Sequence, residues 1–172
     1  MVGGQTHRPE VKHGPNQKAP RMVEMIFFIG VKLKEIIEKG RAYPWPKPRV
    51  CLRCGDSKIW GHGYVESFFD GFNDALLLKR YRCPLCGCIM KLKPSGYFKR
   101  FQASIKTIRF SISCRLKSGR WPCVLSRSRQ GHWLRSLKRK VEAYLGKTCK
   151  LGMIEAFDHL LSQGHNPVSR SI

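Results

Sequence analysis

Cys51-Leu52-Arg53-Cys54-Gly55 and Cys83-Pro84-Leu85-Cys86-Gly87 are two copies of one pattern, CxxCG, with 28 residues between Cys54 and Cys83. A CxxC turn lets two thiolates reach one ion at about 2.3 Å, and the glycine after it relaxes the backbone where amides turn toward sulfur. Between the knuckles, Lys58–Phe69 and Ala75–Arg82 read as strands, and Asp70-Gly71-Phe72-Asn73-Asp74 between them is rich in turn formers. An antiparallel hairpin in that stretch returns the second knuckle to the side of the first. Four sulfurs close a tetrahedral coordination sphere and leave no open position for chemistry. The expectation is therefore one structural Zn²⁺ held by Cys51, Cys54, Cys83 and Cys86. Cys88 and His62 are the rivals for the fourth place. Neither has a knuckle partner, and His62 stands in Gly61-His62-Gly63, where flanking glycines point to a bulge or a close backbone approach. A short strand over Ile89–Leu92 completes a ribbon assigned to residues 51–93.

Outward from the ribbon, the N-terminal side divides into three. Residues 1–21 have no apolar periodicity and are punctuated by glycine and proline, the composition of a disordered leader. Over Met22–Lys39 the apolar residues Val23, Ile26, Ile29, Leu33, Ile36 and Ile37 fall at helical spacing, so residues 22–40 read as an amphipathic helix stopped by Gly40. Tyr43-Pro44-Trp45-Pro46-Lys47-Pro48 forbids helix, which makes residues 41–50 a stiff Pro-rich linker.

On the C-terminal side the period changes. Phe98, Phe101, Ile105, Ile108, Ile112 and Leu116 trace one face of a helix over Tyr97–Lys117. Ser126 caps a second, carrying Trp133, Leu137, Val141 and Tyr144 and ending at Gly146. Residues 94–147 thus form a basic, helix-turn-helix-like domain, and the tail, residues 148–172, holds one more helix marked by Ile154, Phe157, Leu160 and Leu161. The fold class is α+β: a small antiparallel zinc ribbon followed by a basic helical domain.

Charge says what such a molecule meets. The 172 residues carry 33 Lys and Arg against 11 Asp and Glu, a formal charge of +22. Residues 97–147 hold 14 basic and 1 acidic side chain, so a polyanion is expected there. The longest apolar run, Met25–Val31, is far short of the roughly 18 residues a membrane span needs, and no signal-peptide pattern opens the chain. An intracellular, cytoplasmic protein is expected, in which the eight cysteines stay reduced and bind metal in preference to forming disulfides. In the second basic helix Arg127, Arg129, Arg135, Lys138 and Arg139 surround the apolar stripe and would meet phosphate. Gln130 and His132, near its start, would reach base edges in the major groove of duplex DNA. In the ribbon, Lys79, Arg80 and Arg82 end a strand and extend the candidate interface.

The run Cys51-Leu-Arg-Cys-Gly55, Trp60-Gly-His-Gly-Tyr64, Asp70-Gly71 and Leu78-Lys-Arg-Tyr-Arg-Cys-Pro-Leu-Cys-Gly87 resembles the zinc ribbon that opens many bacterial insertion-sequence transposases. The segments Gly119-Arg-Trp-Pro122 and Arg129-Gln-Gly-His-Trp133 are similar to the helix-turn-helix part that follows such ribbons in small prokaryotic mobile-element proteins, and the resemblance covers about residues 43–145. In full-length transposases of that family a catalytic domain with an Asp/Asp/Glu triad comes next. Here the aspartates are Asp56, Asp70, Asp74 and Asp158, three of them in the ribbon, and the sequence stops at Ile172. The resemblance therefore implies target binding without strand transfer: a non-catalytic DNA-binding protein of a mobile element, or a transcription regulator. Two rivals stand beside it. One is an RNA-binding zinc protein of ribosome or RNA-processing type. The other is an accessory or truncated transposase component that docks onto a catalytic partner through residues 22–39 or 149–163.

Overall fold

A run of β-branched and aromatic residues, Ile26-Phe27-Phe28-Ile29, forms the first strand of the computed structural model, which describes residues 23–123 and 125–170. The leader expected over residues 1–21 lies outside the described residues. Strands β1 (Glu24–Ile29), β2 (Trp60–Ser67), β3 (Leu76–Arg82) and β4 (Ile89–Pro94) form one sheet in the order β1-β4-β3-β2. The antiparallel hairpin expected between the knuckles is β2 and β3, with Trp60 opposite Arg82 and Ser67 opposite Leu76. Its register shifts between Gly61 and Tyr64, where Gly63 adopts φ 71°, so the Gly-His-Gly segment is a bulge.

The helix expected over residues 22–40 is a correction. Among the described residues of that span the α-helix is α1 (Leu33–Lys39) alone, and Glu24–Ile29 instead pairs in parallel with β4, from Glu24 opposite Ile89 to Ile29 opposite Pro94. A short apolar run fits either period, and here the open edge of β4 decides in favour of strand. The Pro-rich segment 41–50 lies against the sheet: after a 3-10 turn at Gly40–Ala42, Tyr43 and Trp45 pack on it and Tyr81 Oη donates to Trp45 O at 3.4 Å.

Period-two alternation gives the sheet two apolar faces. Tyr81, Met90 and Leu92 join the buried cysteines on one, with Met25 and Phe27 of β1. Leu76 and Leu78 pack on the other with Phe69 and with Ile36 of α1. The remaining helices are α2 (Ile105–Ser118), α3 (Arg127–Leu145) and α4 (Met153–Ser162). The first starts later than its apolar period suggests, because Ser104 accepts the Thr107 N–H as N-cap and Arg100 takes φ 65°. Phe98 and Phe101 still reach the helical core from the turn before it, beside Ile108, Ile112, Trp133, Leu137, Phe157 and Leu160. Lys93, 6% exposed, joins sheet to helices by donating to Phe98 O at 2.7 Å and Phe101 O at 3.2 Å. Burial lowers its pKa to about 8.

Candidate metal centre and basic face

Each CxxCG knuckle folds by the same local bonds. Gly55 N donates to Cys51 O at 2.9 Å and Gly87 N to Cys83 O at 3.0 Å. Cys51 N donates to Asp56 O at 2.8 Å, and Cys83 N to Cys88 O at 3.0 Å. Gly55 and Gly87 sit at φ 76° and 67°, left-handed positions where a side chain would be strained. The β2–β3 hairpin sets the two turns face to face. Cys51 Sγ lies 3.6 Å from Cys86 Sγ and Cys54 Sγ 3.6 Å from Cys83 Sγ, and all four sulfurs fall within 4.8 Å of one another.

Those separations fit a metal. Four sulfurs at about 2.3 Å around one tetrahedral ion are about 3.8 Å apart, whereas a disulfide needs about 2.05 Å. The four cysteines could therefore hold a metal ion, and they are the set the sequence assigns. Of the rivals, Cys88 is fully buried with its thiol directed at Ile89 O, 3.9 Å away, and neither it nor His62 belongs to the cluster. Burial opposes ionisation of Cys51, but the amides of Arg53 and Cys54 and the adjacent thiols draw its pKa down to about 6. At Cys54 the backbone N–H of Asp56 donates towards the sulfur and favours the thiolate, yet desolvation and three neighbouring sulfurs outweigh it and push the thiol up to about 12. Four thiols so close cannot share negative charge without a cation between them. Burial, then the charge of Cys51 and Cys86, raises Cys88 to about 11.

The residues grouped as a nucleic-acid interface separate into two kinds. On α3, Arg127, Arg135, Lys138 and Arg139 are exposed. At 3.6 residues per turn they span an arc of about 120°, and Trp133, Leu137 and Val141, all buried, lie outside that arc. Arg82 is exposed as well. The others, Arg129, Lys79 and Arg80, are half-buried. Arg129 Nη1 pairs with Asp70 Oδ1 at 2.9 Å while its guanidinium lies 5.2 Å over the Trp133 ring. Lys79 Nζ sits 4.3 Å over the Tyr64 ring, and Arg80 has a buried Nε.

Gln130 is a second correction. It is fully buried, and its Nε2 donates to Pro122 O at 3.0 Å and Leu125 O at 2.7 Å, so it holds the α2–α3 connection and reaches no base. His132 is half-buried with its Nε2 covered. The signal was in the sequence: Gln130 precedes Trp133 by three residues and Leu137 by seven, which puts it on the apolar face. Nothing in the local pattern marked Arg100 or Arg170, which arrive beside Arg129 only through the tertiary fold.

The acids of the tail are also engaged. Asp158 makes a two-bond pair with Arg109 of α2, at 2.7 and 2.6 Å, and that guanidinium lowers its pKa. Glu155 accepts the Gly152 N–H at 3.0 Å at the start of α4. Among the described residues no helix is long and apolar enough to cross a membrane. Comparison of the chain with protein-family models, with curated proteins and with solved structures found no match.

Proposed function

We propose that the protein is a non-catalytic DNA-binding protein in which the four cysteines hold one Zn²⁺ and the exposed arc of α3 lies against duplex DNA. The all-sulfur donor set favours zinc, which takes tetrahedral thiolate sites readily and has no redox chemistry of its own. The single observation that carries the DNA reading is the geometry of α3. Its apolar stripe is used up in the helical core, while Arg127, Arg135, Lys138 and Arg139 point away from it with only Glu142 among them, and Glu142 is itself paired with Lys147 at 3.6 Å. A rigid helix presenting one sign of charge on one side is suited to phosphates at groove spacing. The resemblance of the ribbon to transposase openings supports placing this activity in a mobile element or its regulation. With Asp158 and Glu155 occupied as described, no carboxylate set for two-metal phosphoryl transfer forms part of the reading.

Titration of the zinc-loaded chain with duplex DNA and with folded RNA, each over a range of salt, tests the proposal. If about six phosphates are neutralised, log affinity for DNA should fall against log salt with a slope near −5. Neutralising Arg135, Lys138 and Arg139 together should reduce that slope by about three units. A flat salt response sinks the reading, and markedly tighter binding of RNA replaces it with the RNA-binding alternative. Plasmid incubated with the protein and Mg²⁺ or Mn²⁺ should remain uncut.

A further inference from the structure

Three separate segments each bring an arginine to one cavity beside the ribbon turn. Arg100 comes from the turn between β4 and α2, Arg129 from the first turn of α3, and Arg170 from the chain after α4. With Phe101, Gln102 and Trp133 they line a space of about 320 Å³. Each is placed by its surroundings. Arg100 takes φ 65°, a conformation uncommon for a residue with a Cβ, between the buried Phe98 and Phe101. Arg129 is fixed by Asp70 and the Trp133 ring. The Arg170 segment is tied to α3, since Ser169 N donates to Ser136 Oγ at 2.7 Å, Lys140 Nζ donates to Asn166 O, and Val168 is fully buried.

The electrostatics of this convergence call for an anion. Three arginines line the cavity, no carboxylate lines it, and the one ion pair made by any of them among the described residues is Arg129 with Asp70, which leaves a surplus of two positive charges. Arg129 spends one of its five N–H donors on Asp70 and retains others. The indole Nε1 of Trp133 is buried and has no acceptor among the described residues. Guanidinium donors match phosphate oxygens two at a time, which neither water nor a chloride ion does.

We propose that this cavity is a phosphate site that takes a backbone phosphodiester of the bound DNA strand, carrying the interface from α3 to the module junction and the C-terminal segment. The proposal rests on the duplex-binding reading above, and the experiment separates the two. Salt-dependent duplex binding is measured for the zinc-loaded full chain and for Arg100→Gly, Arg170→Gln and, as a control on α1, Lys34→Gln. Glycine at position 100 removes the charge and relieves the left-handed backbone, so the variant keeps its fold. Arg100→Gly and Arg170→Gln should each lower the salt slope by about one unit while Lys34→Gln leaves it unchanged. Unchanged slopes for both arginine variants, with normal binding by the parent chain, overturn the site and leave the α3 reading standing. An effect confined to duplexes with 5′-phosphorylated ends would overturn the diester assignment in favour of a terminal monoester. Should the parent chain bind no duplex at all, inorganic phosphate is titrated while the Trp133 indole N–H resonance is followed. A saturable shift abolished in Arg170→Gln upholds a phosphate site, and the absence of any shift removes it.

Discussion

Position 88 in the second knuckle is the equivalent of position 56 in the first: each carbonyl accepts the N–H of the leading cysteine, Cys83 or Cys51. Neither side chain is one of the four clustered ligands, although Asp56 Oδ2 accepts from Cys83 Sγ at 3.8 Å. Packing gives Cys88 its role, as a fully buried member of the sheet core that holds Met90 and Leu92. Cys88→Ala should therefore keep the metal and cost about 1 kcal/mol in chemical denaturation. Cys51→Ser or Cys83→Ser should release the metal and disorder the ribbon. Metal content measured on the three purified variants decides the matter, and loss of the ion from Cys88→Ala alone would mean that the cluster is wrongly drawn. This part of the site was legible in the sequence because a CxxCG turn is local chemistry: spacing and the left-handed glycine specify it without reference to the rest of the fold.

Elements were legible in proportion to how local their causes are. The hairpin, β4, the Ser126 cap of α3 and α4 follow from turn formers, caps and a sustained period. The strand at Glu24–Ile29 does not, since its six residues become a strand by pairing with β4, more than sixty residues further along the chain. Phe98 and Phe101 continue the apolar period of α2 but belong to the turn before it, where Arg100 breaks the helical geometry. The α2–α3 connection is decided by one side chain. Gln130 ties Pro122 and Leu125 back to α3, and truncating it leaves two partly buried carbonyls without a donor. Gln130→Ala should thus destabilise the helical part by about 1–3 kcal/mol and leave discrimination between DNA sequences unchanged. A stable variant with relaxed sequence preference would restore Gln130 to the DNA surface. By contrast, Arg109 and Asp158 are both nearly half-exposed, so their ion pair joins α2 to α4 without adding much to stability.

At the scale of the molecule, the helical core and the two cores of the sheet are joined by polar contacts. The helical core draws Phe98 and Phe101 from before α2 and Val168 from after α4, and it shares no residue with the cores on either face of the sheet. The basic segment 97–147 does not hold this core by itself: Ala156, Phe157 and Leu160 of α4 belong to the same cluster as Trp133 and Leu137. Between the modules run Asp70 to Arg129, Lys93 to the carbonyls of Phe98 and Phe101, and the Asp70 N–H to Gln102 O at 3.1 Å. The cluster of four sulfurs stands on the sheet side of this junction, with Cys51 and Cys83 inside the sheet core. Removing the ion with a chelator should accordingly unbind the knuckles and loosen the sheet while α2, α3 and α4 stay folded. In hydrogen exchange, protection should disappear at the knuckle amides of Cys51, Gly55, Cys83 and Gly87 and persist in α3. DNA affinity should fall as the Asp70 anchor of Arg129 loosens, yet the salt dependence due to Arg135, Lys138 and Arg139 should survive. Simultaneous loss of protection in the knuckles and in α3 would show instead that the two cores unfold as one cooperative unit, with Lys93 and the Asp70 contacts transmitting the metal's stabilisation across the junction.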